Sequence, residues 1–144
     1  MIIDALAQNG RIPFVEIAEI ANVSEATIRN RYQRLTSSGI LTVVGVVDPF
    51  RTGIYSVALV AIQADETALS EVCSKLSQYP KVRFVVACAG TFNIMAEVIA
   101  YSTEELTTFI AETLPTIPGI RQMSVNQELK LYKNAFNYLK GADL

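Results

Sequence analysis

Two helical patterns meet at Asn22-Val23-Ser24, inside PFVEIAEIANVSEATIRNRYQRLTSSG (Pro13 to Gly39), and that junction constrains the chain more than any other feature. Phe14, Ile17, Ala18 and Ala21 recur at i, i+3, i+4 and i+7, the period of a helix with one buried face. Ser24 is a good N-cap for the second pattern, because its hydroxyl accepts from a free N–H of the first turn. Ile28, Tyr32 and Leu35 form that helix's apolar stripe. Asn22 falls where the chain turns sharply, and Asn tolerates left-handed backbone better than most residues. A short helix, a tight turn and a second helix with polar side chains off its stripe predict a helix-turn-helix.

On a helical wheel Ala26, Asn30, Gln33 and Arg34 lie opposite the stripe, and Thr27, Arg29 and Arg31 flank it. These residue types suit a major groove. Asn and Gln pair with adenine, Arg with guanine or phosphate, and Ala or Thr touches a thymine methyl. The expected DNA-binding residues are Ser24, Ala26, Thr27, Arg29, Asn30, Gln33 and Arg34, with the first turn near a phosphate. Arg31 has an equal claim to a structural pair with Glu16 or Glu25. Any solvated surface helix presents a polar face; the turn, the cap and the spacing together favour DNA.

Charge does not announce a nucleic-acid partner. The formal net charge over 144 residues is −2, and through Thr52 five Arg meet five acids. Affinity for double-stranded DNA must therefore come from the placement of Arg29, Arg31 and Arg34 on one helix, multiplied by oligomerisation. The two cysteines, Cys73 and Cys88, fall on apolar patterns and read as small core residues. Without histidine or metal-ligand spacing, no metal site and no cofactor is implied. Polar residues interrupt every long apolar run, so no membrane span or signal segment is expected and the protein is placed in the cytoplasm.

Met1 to Asn9 reads as a helix with Ile2, Ile3, Leu6 and Ala7 inward, ended by Gly10; Gly39 closes the helix-turn-helix. Ile40 to Asp48 is β-rich and predicts a strand or wing-like ribbon. The turn at Asp48-Pro49 and Gly53 divides the chain into residues 1–48, a linker 49–53, and residues 54–144. The second part repeats a unit. A strand (54–64), a helix (66–79, with Leu69, Val72, Cys73 and Leu76 inward) and a strand reached through Pro80 come first. A strand (93–100), a helix capped by Ser102 and a strand from Ile120 through Leu131 follow. Glu105 completes a capping box with Ser102, and Leu106, Phe109, Ile110 and Leu114 point inward. Tyr79-Pro80 and Ile117-Pro118 hold equivalent places. Two tandem β-α-β units predict a ferredoxin-like βαββαβ fold, and the whole chain is α+β.

The predicted strands are apolar on both faces, as in Val57, Leu59 and Ala61 against Ala58, Val60 and Ile62. Two helices cover one face of a four-stranded sheet. The other face needs a cover, and pairing of sheets between two copies supplies one. A dimer also suits a helix-turn-helix, which binds paired half-sites.

Taken together, the chain resembles the Lrp/AsnC (feast/famine) transcription regulators. The resemblance rests on Asn9-Gly10-Arg11, Glu16-Ile17-Ala18, Val23-Ser24, Ile28-x-x-Arg31-Tyr32-x-Arg34-Leu35, Gly39-Ile40-Leu41, Asp48-Pro49 and Gly53. It continues through Pro80-x-Val82, Gly90-Thr91-Phe92-Asn93 and Pro118-Gly119-Ile120. It implies an N-terminal DNA-binding domain, and a C-terminal domain that senses a small molecule and assembles dimers, often to octamers. Family effectors are usually amino acids bound where sensing domains meet. By that resemblance the effector-binding residues are Gly90, Thr91, Phe92, Asn93, Met123 and Val125, and Glu97 joins them as an acid in an otherwise apolar strand.

This chain departs from the family there. The usual Gly-x-x-Asp turn ends in Asn93, and two positions often Thr are Met123 and Val125. Either an effector with a substantial apolar side chain or no amino-acid effector follows, with Glu97 able to supply the missing carboxylate or to serve as an ion-pair partner. Two other readings remain: a decarboxylase-type enzyme on the same scaffold, with Glu97, Tyr55 and Arg83 as its groups, and an assembly module without DNA binding. The absence of histidine counts against the first. The polar face from Ala26 to Arg34 counts against the second.

Overall fold

A computed structural model describes residues 1–48 and 51–133. It resolves into two compact units, one built on Met1–Val46 and the other Val47–Tyr132. Pro49 and Phe50 of the expected linker, and the end of the expected second domain beyond residue 133, lie outside the described residues.

The first unit holds α1 (Ile2–Gln8), α2 (Phe14–Ala21) and α3 (Glu25–Ser37). Ile2, Leu6, Ile17, Ala18 and Ile28 are its buried centre, with Phe14, Tyr32 and Leu35 packed against them. Ala7, expected inward, is exposed. The stretch from Leu41 to Asp48 forms no strand: Val43, Val44, Val46 and Val47 stay exposed and pair with no ladder among the described residues. β-propensity alone does not make a strand, because a strand needs a neighbour to take its N–H and C=O groups.

The second unit holds β1 (Ser56–Ala64), α4 (Leu69–Leu76), β2 (Val82–Ala87), β3 (Ile94–Ala100), α5 (Thr103–Thr108) and β4 (Ile120–Gln127). The strands form one antiparallel sheet in the order β2-β3-β1-β4, the ferredoxin-like arrangement. Ala58, Val60, Ile62, Ile94, Ala96 and Val98 line the face that α4 and α5 cover, together with Val72, Leu76, Leu106 and Phe109. Cys73 packs half-buried against this core, and Cys88 is half-buried beyond β2. The two repeats match in detail, since Val82 N–H bonds to Tyr79 O and Ile120 N–H to Ile117 O.

Three local expectations are corrected. β4 ends at Gln127, four residues short of Leu131, after which the Glu128 N–H still bonds to Val57 O. The first long helix opens with a 3-10 turn, Glu66–Ala68. The second is regular only over Thr103–Thr108, then widens into a π turn at Phe109–Thr113 and closes as a 3-10 turn, Leu114–Thr116. Pro115 is the cause: it has no N–H to continue the α ladder, and the wider turn still delivers Leu114 to the core.

Candidate nucleic-acid interface and effector site

The helix-turn-helix geometry follows residue by residue. Asn22 closes α2 in left-handed backbone (φ 51°, ψ 48°), with its N–H on Glu19 O and the Val23 N–H on Ala18 O. The chain re-enters helix at Ser24, whose Oγ accepts from the Thr27 N–H at 3.2 Å and lies 2.8 Å from the Thr27 hydroxyl. Gly39 ends α3 at φ +73°, with its N–H on Thr36 O. Burying Ile28 fixes the rotation of α3. Ala26, Arg29, Asn30, Gln33 and Arg34 are consequently exposed together, with Ser24 at the head of the helix and Thr27 half-buried beside it.

The arginines divide differently from the sequence expectation. Arg29 carries the pair with Glu25, at 2.6 Å, and its guanidinium lies 5.4 Å from the centre of the Phe14 ring. Arg31 pairs with neither Glu16 nor Glu25, and neither Arg31 nor Arg34 forms an ion pair among the described residues. An i, i+4 pair one turn apart forms more readily than the i−6 alternative that Arg31 to Glu25 requires.

In the second unit the expected effector residues do not converge within one chain. Gly90 (φ +145°), exposed Thr91, half-buried Phe92 and Asn93 form the turn before β3. The Asn93 side chain is engaged: Oδ1 accepts from the Ala64 N–H and Nδ2 donates to Ala64 O, both at 2.8 Å. Glu97 pairs with Leu59 and Phe84 on the sheet face away from the helices. There the Arg83 guanidinium grips its carboxylate with two hydrogen bonds, Nε to Oε1 at 2.7 Å and Nη2 to Oε2. Met123 and Val125 pair with Ile62 and Val60 on the opposite face, where Met123 packs against the core. Side-chain alternation along a strand separates Glu97 from both.

Sequence reasoning missed Glu128. Burial pushes its carboxyl up from the ordinary value, the nearby Glu97 adds to the rise, and Arg83 opposes it. Arg83, Glu97 and Glu128 form a charged group on the sheet face that carries Leu59, Phe84 and Met95 and, along β4, the polar Ser124 and Asn126. Its only signal in the sequence is three charges on predicted strands far apart in the chain.

A helix-turn-helix with an exposed polar recognition face, joined to a four-stranded antiparallel sensing-type unit, defines a class: a DNA-binding regulator with a separate regulatory domain. The family follows from comparison. Residues 1–36 match the AsnC-type helix-turn-helix domain, and residues 55–143 match the AsnC-type C-terminal dimeric alpha+beta barrel domain. The chain is 31% identical over 133 residues to the HTH-type transcriptional regulator FL11 of Pyrococcus furiosus, covering 92% of this chain and 87% of that one. It is 30% identical over 124 residues to the regulator LrpA of Pyrococcus abyssi, covering 85% and 88%. The chain belongs to the Lrp/AsnC family of transcription regulators. Among solved structures, E. coli AsnC superposes with a TM-score of 0.80 at 23% identity over 92% of this chain and 91% of that one. The M. tuberculosis feast or famine regulatory protein, complexed with L-methionine, superposes with a TM-score of 0.84 at 22% identity over 95% and 93%. Among the described residues no helix is long and apolar enough to cross a membrane.

Proposed function

We propose that this chain is a cytoplasmic transcription regulator that binds double-stranded DNA through α3, pairs through its C-terminal sheet and senses a small molecule. The observation that carries the reading is the capped, correctly turned α3, with Ala26, Asn30, Gln33 and Arg34 exposed on one side. Arg34 contacts phosphate or guanine. Asn30 and Gln33 read base edges, Ala26 and Thr27 meet a thymine methyl, and Ser24 sets the first turn against a phosphate. Arg29 reaches the backbone from its seat on Phe14 and Glu25. The functional division is residues 1–48 for DNA, 49–53 as linker and 54–144 for sensing and assembly, with dimers combining to an octamer. The relatives are named transcription regulators, which supports regulation over the enzyme reading.

The effector is an amino acid with a substantial apolar side chain, held at the Gly90 to Asn93 turn where sensing units meet. Support comes from the apolar Met123 and Val125 and from two structural neighbours described as L-methionine complexes. Glu97, already neutralised by Arg83 on the other sheet face, serves as an ion-pair partner and not as a free carboxylate for the effector. Selecting bound fragments from the source genome tests the DNA half of the reading. A thermal-shift screen of the free amino acids, L-methionine first, tests the sensing half. No bound fragment removes DNA binding, and no stabilisation at millimolar concentration leaves the C-terminal unit as an assembly module.

A further inference from the structure

α3 carries three arginines, Arg29, Arg31 and Arg34, and one acid, Glu25. That acid follows Ser24 at the head of the helix, where the proposed function sets a phosphate. DNA is a polyanion, so a carboxylate at this place lowers affinity for every duplex. The helix dipole accounts for an acid in the first turn, but not for what its carboxylate holds. Glu25 Oε1 lies 2.6 Å from Arg29 Nη2, one turn on, and both side chains remain exposed. The same guanidinium lies 5.4 Å from the centre of the Phe14 ring, and Phe14 is tilted against Tyr32 at 5.0 Å. Phe14 belongs to α2 and packs against the buried centre of the unit. Arg29 is therefore held from two sides, by an aromatic wall of one helix and a carboxylate of its own.

The arrangement separates two properties of Arg29. Its charge is cancelled by Glu25. Its direction is kept, because a guanidinium has five N–H donors in a rigid fork and the bond to Glu25 uses one of them. Affinity for DNA of arbitrary sequence scales with the phosphates neutralised, so a cancelled charge adds little to it. At a site whose bases fix the register of α3, the oriented donors meet a phosphate without the ordering cost of a free arginine. Specificity is the difference between those two affinities. We propose that Glu25 is a specificity-determining residue, which orients Arg29 against Phe14 and withholds its charge from DNA of arbitrary sequence. This role rests on the DNA-binding reading of α3.

Gel shifts of the full chain at two salt concentrations test it, on a pool of random-sequence duplexes and on the tightest of the selected genomic fragments. Glu25→Gln keeps the shape and removes the charge. It is expected to bind the random pool about threefold more tightly, with a salt slope steeper by about 1, the signature of one more phosphate neutralised. The selected fragment gains less, so the ratio of the two affinities falls. Glu25→Asp, which keeps the carboxylate, retains the wild-type slope. In an Arg29→Gln background, Glu25→Gln no longer steepens the slope. Unchanged affinity and slope of Glu25→Gln on the random pool, the result for an acid that only stabilises its helix, overturns the role. So does an equal gain on both probes. An undiminished effect in the Arg29→Gln background overturns the route through Arg29. Failure of the DNA reading looks different: no retardation of either probe by wild type or variant.

Discussion

Asn93 engages both polar groups of the Ala64 backbone, so one side chain finishes the end of β1 as a neighbouring strand would. The departure from Asp at this position acquires a physical reason. A carboxylate accepts from the Ala64 N–H but meets Ala64 O with repulsion. Asn93→Ala is expected to lower stability by about 1–3 kcal/mol, the range for leaving part-buried polar groups unmade, and denaturant unfolding checks it. Glu128 provides a pH-dependent counterpart. Its raised folded-state value means that the folded chain holds this proton more tightly than the unfolded chain. Its stabilising contribution is therefore full below the ordinary value of 4.5 and is lost as pH rises through the raised folded value. Glu128→Gln, neutral throughout, should raise the melting temperature at neutral pH and make no difference at acid pH. A gain of equal size at both ends of the titration contradicts the assignment.

At the scale of elements, the helix-turn-helix was legible because every part has a local cause: apolar spacing, a left-handed Asn22, a capping Ser24 and a terminal Gly39. The sheet was legible through its repeat. Element ends were less so. The Ser102 cap forms, with its Oγ accepting from the Glu105 N–H at 3.0 Å, but the Glu105 carboxylate returns to the Tyr101 N–H instead of its own cap residue. Lys81 also holds Glu105, at 2.8 Å, and together these partners keep its carboxyl below the ordinary range. The Lys81 contact is long-range, so no local pattern announces it. The same limit explains Glu97, whose partner Arg83 comes from a neighbouring strand, and the absence of a strand over residues 42–47. Gly119 was quoted only as part of a motif, yet it is where the chain passes closest to Ala68 and Val72. At φ +94°, a Cβ there would lie 2.6 Å from the Ala68 Cβ and 3.3 Å from Val72 Cγ2. Gly119→Ala is expected to cost about 1–3 kcal/mol, the range for overpacking, read as a lower denaturation midpoint. An unchanged midpoint would show that the α4 end yields freely.

For the whole molecule, the sheet face opposite the helices leaves Leu59, Phe84, Val86 and Met95 each more than a third exposed in a single chain. Pairing through that face accounts for apolar strands on both sides. Light scattering of the full chain at micromolar concentration should give at least a dimer, and Leu59→Asp, which puts a charge on that face, should shift it toward monomer. A wild-type monomer, or a variant that assembles unchanged, refutes the sheet interface. DNA binding is the central claim, and a net charge of −2 gives it no help from bulk electrostatics. The most direct measurement is a gel shift of the full chain on DNA upstream of its own coding region, at two salt concentrations, beside Arg34→Ala. The expected result is retardation that weakens with salt, with Arg34→Ala binding less tightly and its salt slope lower by about 1. No retardation at the lower salt, or an Arg34→Ala variant with unchanged affinity and slope, contradicts the placement of α3 in the groove.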